Sequence, residues 1–422
     1  LSPLPKADCT VYKKFCARVS ADSAFLVFSS YYMNSAGSAF GHTLLRLGNK
    51  NNKSTHGDQR QELLDTGINY AAVVTTKNPI AYAVFGIAGF FKGTFSNIPY
   101  YYKVREYSDY EARSLWSYEL NLSQSELDFL VDHLWELGST YFDYYFFTEN
   151  CSYHILAALE VVRPELELTQ HLPYWVIPAD TLRVLHKNPG LIKKIHYRPS
   201  AYTIFKHKLA ELNEQEVSTL KEVISQKSNA PLTSLGTPES KIKVLDTLAD
   251  YIDYQYPETI SGKDTQNMEW KQRILLARSK IPLPSPTRSY PPPAKDQPDL
   301  GHKSARAGVH FGQQKNVGSF VKLAQRFAYH DPLDASTGYP ERAQLEFFHG
   351  QGRYNFTKKE FSFDELTFFR VKTFNPLTSF DKFLSWEIEL GLKKDRTLNC
   401  HECLAANLEL GGGYTVTFLS KA

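Results

Sequence analysis

One cysteine of the five in this chain stands apart from the others. The stretch FFTENCSYHILAALE, residues 146–160, puts Cys151 directly behind Asn150, a residue type that caps helices. It is followed by the helical apolar spacing Ile155, Leu156, Ala158, Leu159, Val162. A thiol in a first helical turn lies among unpaired N–H groups at the positive end of the helix dipole, and both favour the thiolate. A small hydrophobe that merely opens a helix is the other reading of the position. The remaining cysteines form two local pairs, Cys9 with Cys16 and Cys400 with Cys403 in CHEC. A four-thiol zinc site would need the two ends of the chain to meet, and the Cys9–Cys16 spacing is not a usual ligand spacing. Two short disulfides are therefore expected, with no metal and no cofactor, in an oxidising compartment that leaves Cys151 as the odd thiol.

A nucleophilic thiol needs a base within hydrogen-bond reach and a third group to orient that base. Among 13 histidines, His42 opens a strand directly after Phe40-Gly41, where glycine permits close backbone approach. On its own it reads as a satisfied polar residue; beside a free thiol at a helix start it reads as a base. His154 lies one turn beyond Cys151 but points along the helix axis, which suits a core or surface role. His56 sits in a polar loop near Asp58 without further ligands, and His133 is mid-helix and structural.

The elements that must position these groups follow from periodicity. Residues 24–32 and 41–47 read as strands, the second with His42, Leu44 and Arg46 on one face. Residues 62–74 form another strand broken near Gly67, and 114–122 a further one. Ser123 and Glu126 make a capping box that opens a helix to about Leu137, and the Cys151 helix follows. The expectation is an α+β domain over residues 1–203, a helical region over 204–280 and a proline-rich linker over 281–303. An antiparallel β domain follows over 304–422, with truncation at Ala422 left open. Alternation there, as in LSWEIELGL, fits a sandwich or an outer-membrane barrel, and its glycines and aromatics tilt the expectation to a barrel-like sheet. Aromatics make up 14% of the chain, which suits sheets and membrane interfaces, and a formal charge of +3 gives no reason to expect a nucleic-acid partner. The start at Leu1 suggests a processed or truncated chain. No apolar run is long enough for a spanning helix. The nearest, IAYAVFGIAGFF at 80–91, suits a buried segment or one that dips into a lipid interface.

SAFGHTLLRL, INYAA and FFTENCSYHILAALE, in that order, resemble the Lnb-type N-terminal periplasmic domain family. That family is similar to circularly permuted papain-like proteins, including the lecithin–retinol acyltransferases, in which the histidine precedes the NC cysteine. The resemblance covers about Cys9 to Tyr202. It implies a permuted papain-like thiol domain with Cys151 as nucleophile and His42 as base. Asn69 is the orienting residue, Asp65 the alternative for that role, and Glu149, Asn150 and Tyr70 give support. The implied function is a thiol acyltransferase that moves an acyl group from a phospholipid through a Cys151 thioester to a lipoprotein amine, without cofactor. The C-terminal half resembles an outer-membrane-like β domain of a proteobacterial branch, implying a periplasmic protein associated with the outer membrane of a Gram-negative bacterium. Because lipoprotein N-acylation is expected at the inner membrane, another acceptor or hydrolysis stays open. A cysteine peptidase or amidase on cell-wall peptides and a non-catalytic outer-membrane module are the alternatives.

Overall fold

The computed structural model describes residues 9–31, 39–52, 62–259, 262–315, 318–394 and 403–418. The chain separates into two compact units, the first holding most of residues 1–171 and 184–292, the second 172–183 and 293–422.

The first unit runs α1 (Thr10–Val19), β1 (Ala21–Ser29), β2 (His42–Asn49), β3 (Thr66–Val73), α2 (Pro79–Ala88), β4 (Phe91–Pro99) and α3 (Tyr100–Val104), which continues into a π-helical turn, Arg105–Tyr110. Then come β5 (Leu115–Leu120), α4 (Gln124–Leu137), β6 (Tyr141–Tyr144), α5 (Cys151–Glu160), α6 (Pro178–His186), which crosses between the units, and β7 (Ile192–Arg198). Among the described residues seven strands pair in the order β6-β4-β3-β2-β1-β5-β7, each pairing antiparallel. The two central strands are covered on both faces: Ala24–Ser29 and Thr43–Leu47 contain no exposed residue. On one face, α3 and its π turn contribute Tyr100, Val104 and Tyr107 to a core with Phe25, Val27 and Leu44. On the other, α4 packs against β1, and α5 against β2 and β3. Strand alternation sends His42, Leu44 and Arg46 toward α3, and Thr43, Leu45 and Leu47 toward α5. The capping box forms as its residues dictate: Glu126 accepts the Ser123 N–H at 2.6 Å, and Ser123 Oγ accepts the Glu126 N–H at 3.4 Å.

Four helices follow in this unit: α7 (Ala201–Ala210), α8 (Glu214–Gln226), α9 (Pro238–Gln255) and α10 (Thr265–Ser279). The proline-rich segment is not free of them. Arg288 holds Glu211, at the end of α7, at 2.8 Å, and short 3₁₀ turns form at Ala294–Asp296 and Pro298–Leu300.

The first pair of cysteines is not a disulfide. Cys9 caps α1 and Cys16 lies two turns further on; both are free thiols. Seven residues of helix rise about 10 Å, beyond the span a disulfide can bridge. Cys400 lies outside the described residues, so its pairing with Cys403 is not described.

In the second unit, β8 (Arg306–Gln314), β9 (Gly318–His330), β10 (Ala343–Asn355), β11 (Glu360–Thr373), β12 (Ser385–Lys394) and β13 (Leu404–Gly413) form an antiparallel meander with each strand beside the next. The antiparallel β domain expected from the alternation is present. Among the described residues it is an open sheet, with β8 and β13 as its edges, not a closed barrel. Its polarity is inverted. Phe311, Leu323, Phe361 and Leu410 are exposed, while Arg326, Glu346 and Glu389 are buried. Arg370 of β11 binds Glu346 of β10 at 2.7 Å and Glu389 of β12 at 2.6 Å across neighbouring strands, and Glu365 of its own strand at 2.6 Å.

Candidate active site

The start of α5 is fixed by Asn150. Its side-chain oxygen accepts the N–H groups of Ser152 and Tyr153 at 3.1 and 3.3 Å and the Ser152 hydroxyl at 2.7 Å. Its amide nitrogen donates to the Phe146 carbonyl at 3.1 Å. All of the cap's hydrogen-bonding capacity on that oxygen is thus spent on holding the first turn, and Cys151, 4% exposed, has one position available.

His42 is set by the turn before it. Gly41 has φ +84°, and a Cβ there would lie 2.4 Å from the Phe28 ring and 2.9 Å from the Ser29 carbonyl oxygen. Only glycine lets the chain enter β2 this close to β1, with His42 paired to Ser29. The β2–β3 register, with Leu45 opposite Ile68, places Asn69 on the same face as His42. His42 Nε2 and Asn69 Oδ1 lie 2.8 Å apart. An amide oxygen only accepts, so Nε2 carries the hydrogen and Nδ1 is the nitrogen left for the thiol.

Burial pushes the Cys151 thiol up. The charge of His42 and its hydrogen bond, the Thr43 backbone N–H and the Tyr144 hydroxyl outweigh that and hold it at about 7. Burial lowers the pKa of His42, but the thiolate charge, its hydrogen bond and Asn69 raise it above the usual histidine value. Each partner favours the charged form of the other, which moves the thiol toward the thiolate and the imidazole toward the imidazolium.

Tyr144 is the residue the sequence reading missed. Its oxygen accepts the Cys151 N–H at 3.2 Å and its hydroxyl bonds the sulfur. Burial, then the neighbouring thiolate charge, keeps the phenol protonated far above its usual range, so it stays a donor. The one sequence signal was the aromatic run YFDYYFF just ahead of the cysteine. Tyr70, fully buried, stacks on Tyr144 at 5.6 Å and packs against His154 at 4.3 Å. His154 is a core residue between Tyr70 and Phe142, held neutral by burial with its pKa down at about 4.

Asp65 does not serve His42. It accepts the Asn49 N–H at 3.0 Å and the Asn52 amide at 3.3 Å, and lies 3.8 Å from Arg46. Asn49 is the last residue of β2 and His42 the first, about 20 Å apart at strand rise. Glu149 is exposed beside the cap, with its backbone carbonyl accepting the Tyr145 N–H at 3.4 Å.

Among the described residues, one cluster has the donor types of a metal site. In the second unit His302 Nε2, His330 Nδ1 and Asp334 Oδ2 lie 3.0, 3.7 and 3.9 Å from one another. The Asp334 oxygen already takes Arg326 at 2.6 Å and the Asp331 N–H at 2.9 Å. The two imidazoles are within hydrogen-bond distance of each other and stack with Tyr339. The cluster is satisfied as a hydrogen-bonded network, with guanidinium charge where a cation would sit.

Residues 195–290 and 295–422 match the models of two domains of unknown function, DUF7842 and DUF7840. No curated protein and no solved structure matches the chain. Residues 12–188, which contain His42, Asn69, Tyr144 and Cys151, match the model of the Lnb N-terminal periplasmic domain. The thiol-bearing region of this chain is therefore similar to the Lnb N-terminal periplasmic domain family, which supports a periplasmic location.

Proposed function

We propose that Cys151 and His42 are the nucleophile and base of a cysteine-dependent acyltransferase of the bacterial envelope, carried on a permuted papain-like domain, with Asn69 orienting the imidazole. The observation that carries this reading is the connected chain from Asn69 through His42 to a thiol held at about 7. In the first half-reaction, the thiolate attacks an ester carbonyl of a phospholipid. The ester C–O bond breaks, and His42 Nδ1–H protonates the leaving alkoxide. In the second, an amine attacks the thioester, neutral His42 Nδ1 takes its proton, the C–S bond breaks and the thiolate–imidazolium pair returns. Asn69 holds Nε2–H throughout, so the ring keeps one orientation. The Tyr144 hydroxyl, released from the sulfur as the thiolate attacks, is the donor offered to the oxyanion.

Two observations favour lipid over a polar peptide. The thiol is buried, with the Tyr144 hydroxyl on its sulfur and the ring of buried Tyr70 stacked on Tyr144. In the second unit the sheet turns Phe311, Leu323, Phe361 and Leu410 outward, the polarity of a lipid-facing surface, which supports association with the outer membrane. The test is incubation of the full chain with a phospholipid labelled in its acyl chain, followed by mass spectrometry of the Cys151 peptide. An acylated Cys151 that is discharged by a diacylated lipopeptide with a free amine supports the acyltransferase. Cleavage of a cell-wall peptide, with no acyl–Cys151, would transfer the same residues to a hydrolase.

A further inference from the structure

We infer that α2 and its flanks are the surface by which the first unit rests on an anionic phospholipid bilayer, with Ile80, Val84 and Ile87 entering the acyl region. These positions recur at helical spacing, so they form one stripe, and they are 75%, 50% and 48% exposed. Phe90, just past the helix, is 65% exposed, and Val73 and Val74, just before it, are 49% exposed. A helix in a water-soluble protein ordinarily turns such a stripe inward; here it is docked by its other face. The docking contact is Gly86, where a Cβ would lie 2.2 Å from the Phe146 ring, and whose carbonyl accepts the Phe146 N–H at 2.8 Å. The Phe146 carbonyl in turn takes the Asn150 amide that caps the Cys151 helix. The outward stripe therefore backs directly onto the loop that sets the nucleophile.

Charge names the occupant. From residue 66 to residue 105 the chain carries Lys77, Lys92, Lys103 and Arg105 and neither Asp nor Glu, with Lys103 paired to Glu106 just beyond at 2.7 Å. Lys77 and Lys92 bracket the helix, the second engaged with Asp143 of the neighbouring strand at 2.6 Å. An apolar stripe between cations, with no acid in its own segment, matches an anionic headgroup layer over an acyl region. Ten residues of helix rise about 15 Å, so α2 lies in the interface and does not cross it. Among the described residues no helix is long and apolar enough to span a membrane. The inference rests on the lipid-donor reading for its purpose, since a helix docked on the thiol loop would bring the donor's acyl chains to Cys151.

The test uses the full chain with vesicles of phosphatidylethanolamine, with and without phosphatidylglycerol, carrying a photoactivatable group on the acyl chain. The expected result is label on the peptide spanning 78–91, stronger with phosphatidylglycerol, and loss of that label in the Ile80→Glu/Val84→Glu/Ile87→Glu variant. Binding to anionic vesicles should weaken at least about tenfold in that variant. Its Cys151 alkylation profile should match the wild type, which shows that the fold and site survive. Label elsewhere with α2 untouched would overturn the inference. So would a dimer in solution that the triple variant dissolves, which would assign the stripe to a second copy. Because Cys151→Ser should label α2 as the wild type does, failed acyl transfer with α2 labelled would sink the function and keep this inference, and the converse result would do the reverse.

Discussion

The start and the middle of β2 carry polar side chains of opposite design, a half-buried His42 and a buried Arg46. In the middle, Arg46 is locked to Glu62 at 2.5 Å, lies 3.8 Å from Asp65 and stacks over the Phe25 ring at 3.8 Å. Arg198 engages the second oxygen of Glu62. Two carboxylates face two guanidiniums, and Glu62 is held below its usual range chiefly because Arg46 and Arg198 outweigh its burial. At the start, a single imidazole meets a single thiol and a neutral amide. Matched permanent charges fix a structure, whereas groups that share one movable proton, with a neutral residue to orient them, leave protonation open near neutrality.

The largest effect is expected at the sulfur. Cys151→Ser should lose acyl transfer by about 10³-fold or more while keeping the thermal midpoint within a few degrees, measured by thioester formation and a melt. His42→Ala should lose a similar amount, and the double variant no more, since nucleophile and base act as a unit. Additive losses would show the two are not one device.

A smaller loss is expected at the orienting amide. Asn69→Ala should lower turnover about 10- to 100-fold, and iodoacetamide rates against pH should then show a higher midpoint. In the wild type the thiol titrates at about 7, so alkylation should fall roughly tenfold per unit as pH drops below it. A wild-type midpoint near the unperturbed ~8.5 would contradict the thiolate–imidazolium pair.

In the middle of the strand the effect should fall on stability instead. Asp65→Asn takes a charge from beside buried Arg46 and should cost about 3 kcal/mol by denaturant titration, with the Cys151 alkylation midpoint unchanged. A shifted midpoint would mean the two positions are coupled. A further effect, on the pH dependence of stability, concerns His154. Its folded pKa of about 4 lies below its unfolded value of ~6.5, so it contributes stability above pH 6.5 that is lost as pH falls toward 4. His154→Phe should flatten that acid limb, and an unchanged slope would show the histidine is not the group responsible.

Several features were legible without coordinates because they depend on near neighbours in the chain. The caps of α4 and α5 follow from Ser123, Glu126 and Asn150, since a cap is closed within three residues. The strands at 21–29 and 42–49 follow from apolar runs and alternation, and the sheet of the second unit from period two. The segment 80–91 showed its apolar character but not its setting. Whether α2 is buried or exposed depends on which face Phe146 occupies, and nothing in the helix itself specifies that.

Residue type and local position singled out Cys151 and His42. A cysteine behind a capping asparagine and a histidine behind Gly41 are both local patterns. What they could not decide was the company these residues keep. Asn69 and Asp65 are four residues apart on one stretch, and only the β2–β3 register sends one to His42 and the other to Arg46. Tyr144 reaches the sulfur because β6 pairs at the sheet edge ahead of α5, and Cys9 and Cys16 stay apart because α1 is a continuous helix. Sequence spacing measures distance along the chain, whereas proton transfer and disulfide formation depend on distances of a few ångströms in space, which strand register and helix rise determine.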